Sequence, residues 1–407
     1  MAKLTGTLRG AGLVLALVAG MVGPASAEID QSENVKLITS FAYEGVEESD
    51  PFFTSGTDID FSGKYVYAMQ QGSVGGGVHV IKDGKKPRKV AFIACPGGQN
   101  DVAVVKPGLI ALGYHSSTCA AAPGGGIRLI DVRNPKRPQF LGAVALPGGT
   151  HTLTVYPGED IIYASPGGLP TNGGGERGVQ QIVDVSDPLK PEVVGQFFVN
   201  AGGCHDLSFL ITDDSKLAFC PAGHAETQIW DVSDPIAPTT IGRIINPFIQ
   251  FHHSAVATHD GQYLVVGDET MAADCLGGPL GDVFIYDISN PATPLLQGYY
   301  GIDRGRQPVS SNELDRGDWC TAHNYNFVPG TYKMVTAWYS SGFNVIDWTN
   351  PASPQEIAYY MGTGEDRTNY WSAYFYAGRV WANDRQRGVL DVFEVEGLAD
   401  KDGPGAD

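Results

Sequence analysis

One phrase of sequence recurs along this chain, and its period dictates the architecture. The clearest copy reads Gln181-Ile-Val-Asp-Val185, then Ser186-Asp-Pro188, then Pro191. Copies at 126–138, 228–238, 283–294 and 343–354 keep the same order: an apolar run, an Asp, an Asp/Asn-Pro pair and a second Pro. Shorter copies at 77–82 and 388–393 bring the number to seven. The marker Asp falls at 131, 184, 231, 287 and 347, in steps of 53, 47, 56 and 60 residues. That is the length of one four-stranded propeller blade with variable loops. The repeat predicts an all-β chain folded as a seven-bladed β-propeller.

Local chemistry explains each unit. A β-branched or aromatic run ends in Asp/Asn-Pro, which sets a tight turn, and the second Pro opens a strand that must lie at a sheet edge because Pro has no donor for the ladder. In one full unit the four strands read 205–210, 216–220, 227–232 and 239–244, ordered from the central axis outward. The run Val35-Lys-Leu-Ile-Thr-Ser-Phe41 has the character of an outermost strand with no blade before it, and the last copy, ending near Val395, lacks its fourth strand. Pairing the two closes the ring and removes an open edge.

The phrases Ile127-Arg-Leu-Ile-Asp-Val132 and Gln181-Ile-Val-Asp-Val185 resemble the LVIVD-repeat family of bacterial secreted propeller proteins, over roughly residues 35 to 395. The resemblance implies the architecture. It implies no activity, because propellers host unrelated functions.

The ends of the chain bear on location. Lys3 and Arg9 precede an apolar stretch at 11–22, and Ala25-Ser-Ala27 supplies small residues for cleavage, the order of a secretory signal peptide over residues 1–27. The apolar run is shorter than the ~20 residues a spanning helix needs. The expected mature protein is exported, secreted or held in the periplasm or at the cell surface, with no membrane span, one propeller domain over 28–396 and a polar, disordered tail over 397–407. Loss of residues 1–27 takes two positive charges and moves the formal charge from −18 to −20. Such acidity disfavours nucleic acid and anionic lipid as partners.

Six Cys in an exported chain favour disulfides. Placement at strand ends pairs Cys204 with Cys220 and Cys95 with Cys119, leaving Cys275 for Cys320. No Cys-x-x-Cys spacing suggests a metal.

Loops divide unequally between the two propeller faces. Turns on one face are short, such as Lys106-Pro-Gly108 and His259-Asp-Gly261, whereas 114–125, 166–177, 268–281 and 301–319 elaborate the other. That mouth is where a ligand is expected. The seven inner strands start at Thr57, Asn100, His151, His205, His253, His323 and Trp371, so four successive blades carry His at one equivalent position. Rotational equivalence makes His151, His205, His253 and His323 converge on the mouth. Neutral imidazoles together suit Cu, Fe or Zn. Asp268 and Glu269 pair opposite His252 and His253, so His252, Asp268 and Glu269 are candidate extra ligands or orienting partners. His115 and His224 lie in mouth loops and could add to the site, whereas His79 and His259 lack the repeat coincidence. Any one of these imidazoles could equally serve an ordinary hydrogen-bond network.

The leading reading is a monomeric, exported propeller that binds a small molecule or an extracellular protein at a His-lined mouth through a transition metal. Its alternatives are a metal-dependent oxidoreductase or hydrolase acting on a small molecule, and a non-catalytic cell-surface interaction module. The residues name neither the metal nor the substrate nor the partner.

Overall fold

The computed structural model describes residues 28–44, 56–72, 75–98, 100–117, 119, 125–146, 149–166, 178–199, 203–270, 279–302, 319–363 and 366–398. The expected signal peptide and most of the expected tail lie outside them. The seven repeats form seven small antiparallel sheets in a ring. Blade 4 is representative: strands Ser208–Ile211, Lys216–Ala222, Glu226–Asp231 and Thr239–Ile244 follow one another outward.

The repeat phrase works as its chemistry requires. Each marker Asp accepts the backbone N–H two residues on: Asp131 from Arg133, Asp184 from Ser186, Asp231 from Ser233, Asp287 from Ser289 and Asp347 from Thr349, all at 2.8–2.9 Å. Asp187 and Asp234 do the same for Leu189 and Ile236 in the Asp-Pro turn. Every such turn is preceded by a register shift between third and outermost strands, for instance at Ile229/Trp230 and Ile285/Tyr286. A bulge there adds twist to the outer edge. The middle strands are buried on both faces by the neighbouring blades, and the outer strands alternate, as Glu192–Phe198 does.

Blades lock through the same phrase. A Cβ on Gly242, in the outer strand of blade 4, would lie 1.9 Å from the carbonyl oxygen of Pro291 in the turn of blade 5. Only glycine allows that approach. Gly298 stands in the same relation to Pro351.

Val35–Ala42 pairs antiparallel with Val389–Val395 and completes blade 7 as its outermost strand, which closes the ring. A further strand, Glu28–Gln31, adds to Gln355–Thr363 as a fifth strand of blade 6. This was not foreseen, because four mostly polar residues carry no strand pattern. Leu398 is buried with Val395 in the core shared by blades 6 and 7, so packed structure continues past the expected boundary at 396. No helix among the described residues is long and apolar enough to cross a membrane.

Cys204 and Cys220 form a disulfide across adjacent strand ends. Cys320 is disulfide-bonded, and its expected partner Cys275 lies outside the described residues. The expected Cys95–Cys119 bond is corrected: both are thiols. The buried Arg128 guanidinium contacts Cys95 Sγ at 3.5 Å and donates to the Cys119 carbonyl at 3.0 Å. The Cys119 sulfur faces the Ala94 carbonyl instead.

Candidate functional site

The first residues of the inner strands are joined by a belt of hydrogen bonds around the axis. Thr57 Oγ1 donates to the Asn100 carbonyl, Thr152 Oγ1 to His205, the Asp206 amide to His253, Ser254 Oγ to His323, His323 Nδ1 to Trp371, and Ser372 Oγ to Thr57. Between blades 2 and 3 the link is the Leu153 amide donating to Asp101 Oδ2. Each link uses a ring position or the residue after it. The repeat thus places these side chains in one layer.

Within that layer the imidazoles form a continuous arc. Ring centroids are 4.4 Å apart for His151–His205, 4.2 Å for His205–His253 and 4.1 Å for His253–His323. His115 extends one end at 5.2 Å from His151, and Trp371 ends the other at 4.6 Å from His323. All four ring histidines are buried. Burial holds the imidazoles of His151, His253 and His323 well below the usual range, and neighbouring rings add to the effect at His151 and His253. These rings are neutral and offer lone pairs.

Glu269 enters the arc from the end of the second strand of blade 5. Its Oε2 lies 3.3 Å from His253 Nε2, and its Oε1 lies 3.5 Å from His323 Nε2. His323 Nδ1 donates to the Trp371 carbonyl at 2.6 Å, which fixes the tautomer and leaves Nε2 as a lone pair facing Glu269. His253 Nδ1 faces Ser254 Oγ at 3.1 Å and Asp206 Oδ2 at 3.2 Å, while its buried Nε2 makes no hydrogen bond. Burial pushes the Glu269 carboxyl up to about 7. The Tyr339 hydroxyl donates to Glu269 Oε1 at 2.5 Å. Tyr339 has φ of 47°, a left-handed conformation rare for a bulky residue and held here by hydrogen bonds to Tyr370. Donor atoms of His205, His253 and Glu269 all lie within 4.8 Å of one another, close enough to share one ion.

The other candidates separate. His252, paired opposite Asp268, turns away from the arc to Thr227 Oγ1 at 2.9 Å. The Asp268 carboxylate accepts the amides of Gln250, Phe251 and Gly281, so it organises the loop ends around it. Neither joins the imidazole layer. His224 bonds the Gln250 carbonyl, and His79 stacks on Tyr43 and bonds Gln70 within blade 1. His259 packs on Tyr332 beside an Asp-Gly turn. At least half of each long mouth loop lies outside the described residues.

Some residues at the mouth were not singled out from sequence. Arg385 is buried, its guanidinium carbon 4.9 Å from the Trp319 ring centroid and 5.4 Å from that of Trp371. Asp58, Asp101 and Asp206 each follow a ring position, a coincidence readable in the aligned repeats.

A sequence profile of the LVIVD repeat matches residues 280–301, across the third and outermost strands of blade 5 and the turn between them. No curated protein matches the chain. Many solved structures share the fold, and two of them serve as examples. A functionally unknown protein from Desulfotomaculum acetoxidans is 12% identical with a TM-score of 0.54, over 75% of this chain and 84% of that one. A chain of the mitotic checkpoint complex is 11% identical with a TM-score of 0.58, over 94% and 98%. Identities this low establish architecture alone.

Proposed function

We propose that this LVIVD-repeat β-propeller is an exported binding protein that holds one transition-metal ion through His205, His253 and Glu269 and presents it to a ligand at the mouth. One observation carries the reading: His253 Nε2 lies 3.3 Å from a carboxylate oxygen of Glu269 and makes no hydrogen bond, and because Ser254 Oγ gives its hydrogen to the His323 carbonyl, His253 Nδ1 is the donor toward Ser254 and Nε2 is left as an acceptor. Two acceptors at that separation repel unless a proton or cation lies between them. Donors ~2.1 Å from one metal at roughly tetrahedral angles sit about 3.4 Å apart, close to the separation of the pair. Two imidazoles and a carboxylate are a donor set taken by zinc and by ferrous iron, and copper also favours imidazole. His323 and His151 stand beside the set, and Asp206 and Tyr339 orient it. Export is supported by the charge and apolar pattern of residues 1–27.

The test is elemental analysis of protein purified from its native compartment without chelator, followed by titration with zinc, ferrous iron and copper. One metal per chain is expected, lost in His253→Ala and in His205→Ala with the fold retained. Absence of all three metals, and no uptake on titration, would refute the reading. Turnover of a small molecule by the loaded protein would move it from binding protein to oxidoreductase or hydrolase.

A further inference from the structure

The repeat brings a second charged group to the mouth. In blade 5 the Glu269 amide donates to the Phe251 carbonyl at 3.1 Å, and in blade 7 the Arg385 amide donates to the Asn369 carbonyl at 2.9 Å. Phe251 and Asn369 each stand two residues before a ring position, His253 or Trp371. Each also gives its own amide, at 2.9 Å, to the carboxylate just before the charged residue, Asp268 or Asp384. Arg385 is therefore the blade 7 counterpart of Glu269. One blade delivers a carboxylate and the other a guanidinium.

That guanidinium has no counter-charge among the described residues. Arg385 is 5% exposed, and its Nη1 is buried without a hydrogen-bond partner. The other buried arginine among them, Arg128, donates to the Cys119 carbonyl, and Arg387, two residues on, is ion-paired with both Asp384 and Asp391. Three rings surround Arg385 instead: its guanidinium carbon lies 4.9 Å from the centroid of Trp319, 5.7 Å from Tyr339 and 5.4 Å from Trp371. Cation–π attraction offsets part of the cost of burying the charge. A buried charge otherwise calls for a paired, hydrogen-bonding partner.

We infer that Arg385 anchors the ligand at the mouth and that this ligand is a small organic carboxylate, its charged group taken by the guanidinium and its body seated against Trp319 and Trp371. The inference rests on the proposed reading of the mouth as a ligand site and names the class of that ligand. His323 lies 4.6 Å from both the Tyr339 and the Trp371 rings, so Arg385 shares its aromatic walls with the imidazole arc. Trp319 and Trp371 are only partly buried, which leaves ring surface for a ligand. Charge selects among anions. One guanidinium balances one negative charge, the carboxyls of Asp206 and Glu269 stand in the neighbouring layer, and the chain as a whole carries −18. A singly charged carboxylate suits that field better than a phosphate, and its plane matches the guanidinium fork.

The experiment titrates the full chain, metal-free and zinc-loaded, by calorimetry in chloride-free buffer. The probes are acetate and benzoate, with methyl benzoate as the uncharged match and inorganic phosphate as the competing anion. One carboxylate per chain is expected, bound more tightly than phosphate, with no binding of methyl benzoate. Arg385→Gln should weaken the carboxylate by about tenfold or more without lowering zinc affinity, because Arg385 is not a ligand of the ion. Arg385→Lys keeps the charge without the fork and should recover part of the loss. Thermal unfolding checks that both variants fold, and the contrast between benzoate and its methyl ester tests wild type by itself. Carboxylate binding that depends on Arg385 in a protein that takes no zinc would refute the metal reading and leave this one standing. Zinc uptake with no carboxylate binding, equal affinity for benzoate and methyl benzoate, a preference for phosphate, or unchanged affinity in folded Arg385→Gln would overturn the inference.

Discussion

Tyr339 donates its hydroxyl to Glu269 across the mouth, linking the turn between the second and third strands of blade 6 to the carboxylate at the end of a blade 5 strand. A residue held at φ of 47° to make that contact is a positioning residue. Tyr339→Phe should lower metal affinity by about 10- to 100-fold, the usual effect of losing a partner that orients a ligand. Zinc titration of the two proteins checks it, and thermal unfolding should show the fold retained. Equal affinities would detach Glu269 from the metal.

The N-terminal strands bridge two blades. Deleting residues 28–43 exposes the edge of Val389–Val395 and removes the fifth strand of blade 6. Stability should fall by several kcal/mol, the scale of losing buried apolar side chains. An unchanged denaturant midpoint would mean that closure does not depend on this segment.

Gly242→Ala forces a methyl group against the Pro291 carbonyl of the next blade. Overpacking of this kind costs about 1–3 kcal/mol. Urea unfolding measures the loss. A neutral result would show that the blade 4–blade 5 contact yields easily.

The Cys204–Cys220 bond closes a loop with a sequence separation of 16. A closed loop of that size stabilises by roughly 3 kcal/mol. The Cys204→Ser/Cys220→Ser protein should therefore unfold at lower denaturant than wild type under oxidising conditions, where the Cys320 bond is intact in both. Indifference to reductant in wild type would show the bond to be dispensable.

Burial holds His79 at about 3, below its ordinary value of 6.5. The unfolded chain takes up this proton first as pH falls, so the stability His79 contributes is complete above 6.5 and lost between 6.5 and about 3. From pH 6.5 to 5 the loss is about 2 kcal/mol. His79→Gln should remove that part of the acid sensitivity, read as the difference in unfolding free energy at pH 7 and 5. Identical pH profiles would show that His79 gains its proton without disturbing the fold.

Much of this protein is decided by local chemistry that repeats. The Asp, the Asn/Asp-Pro turn and the second Pro recur at one period, and the apolar runs between them bury themselves only by stacking blades. Seven copies and an orphan strand at Val35 were enough to derive the ring and its closure. Rotational symmetry then carried four histidines to one layer, because equivalent repeat positions must face the same axis.

What the tertiary structure decided is which partner each side chain meets across blades. Glu269 turns to His253 and His323, while their sequence neighbours Asp268 and His252 turn to backbone amides and to Thr227. Cys95 meets Arg128 instead of Cys119, and Glu28–Gln31 finds a blade edge that its own sequence does not announce. Strand period specifies a face and a register. It does not specify which of several nearby polar groups, brought in by loops from another blade, will satisfy a buried donor or acceptor, and that choice made the site.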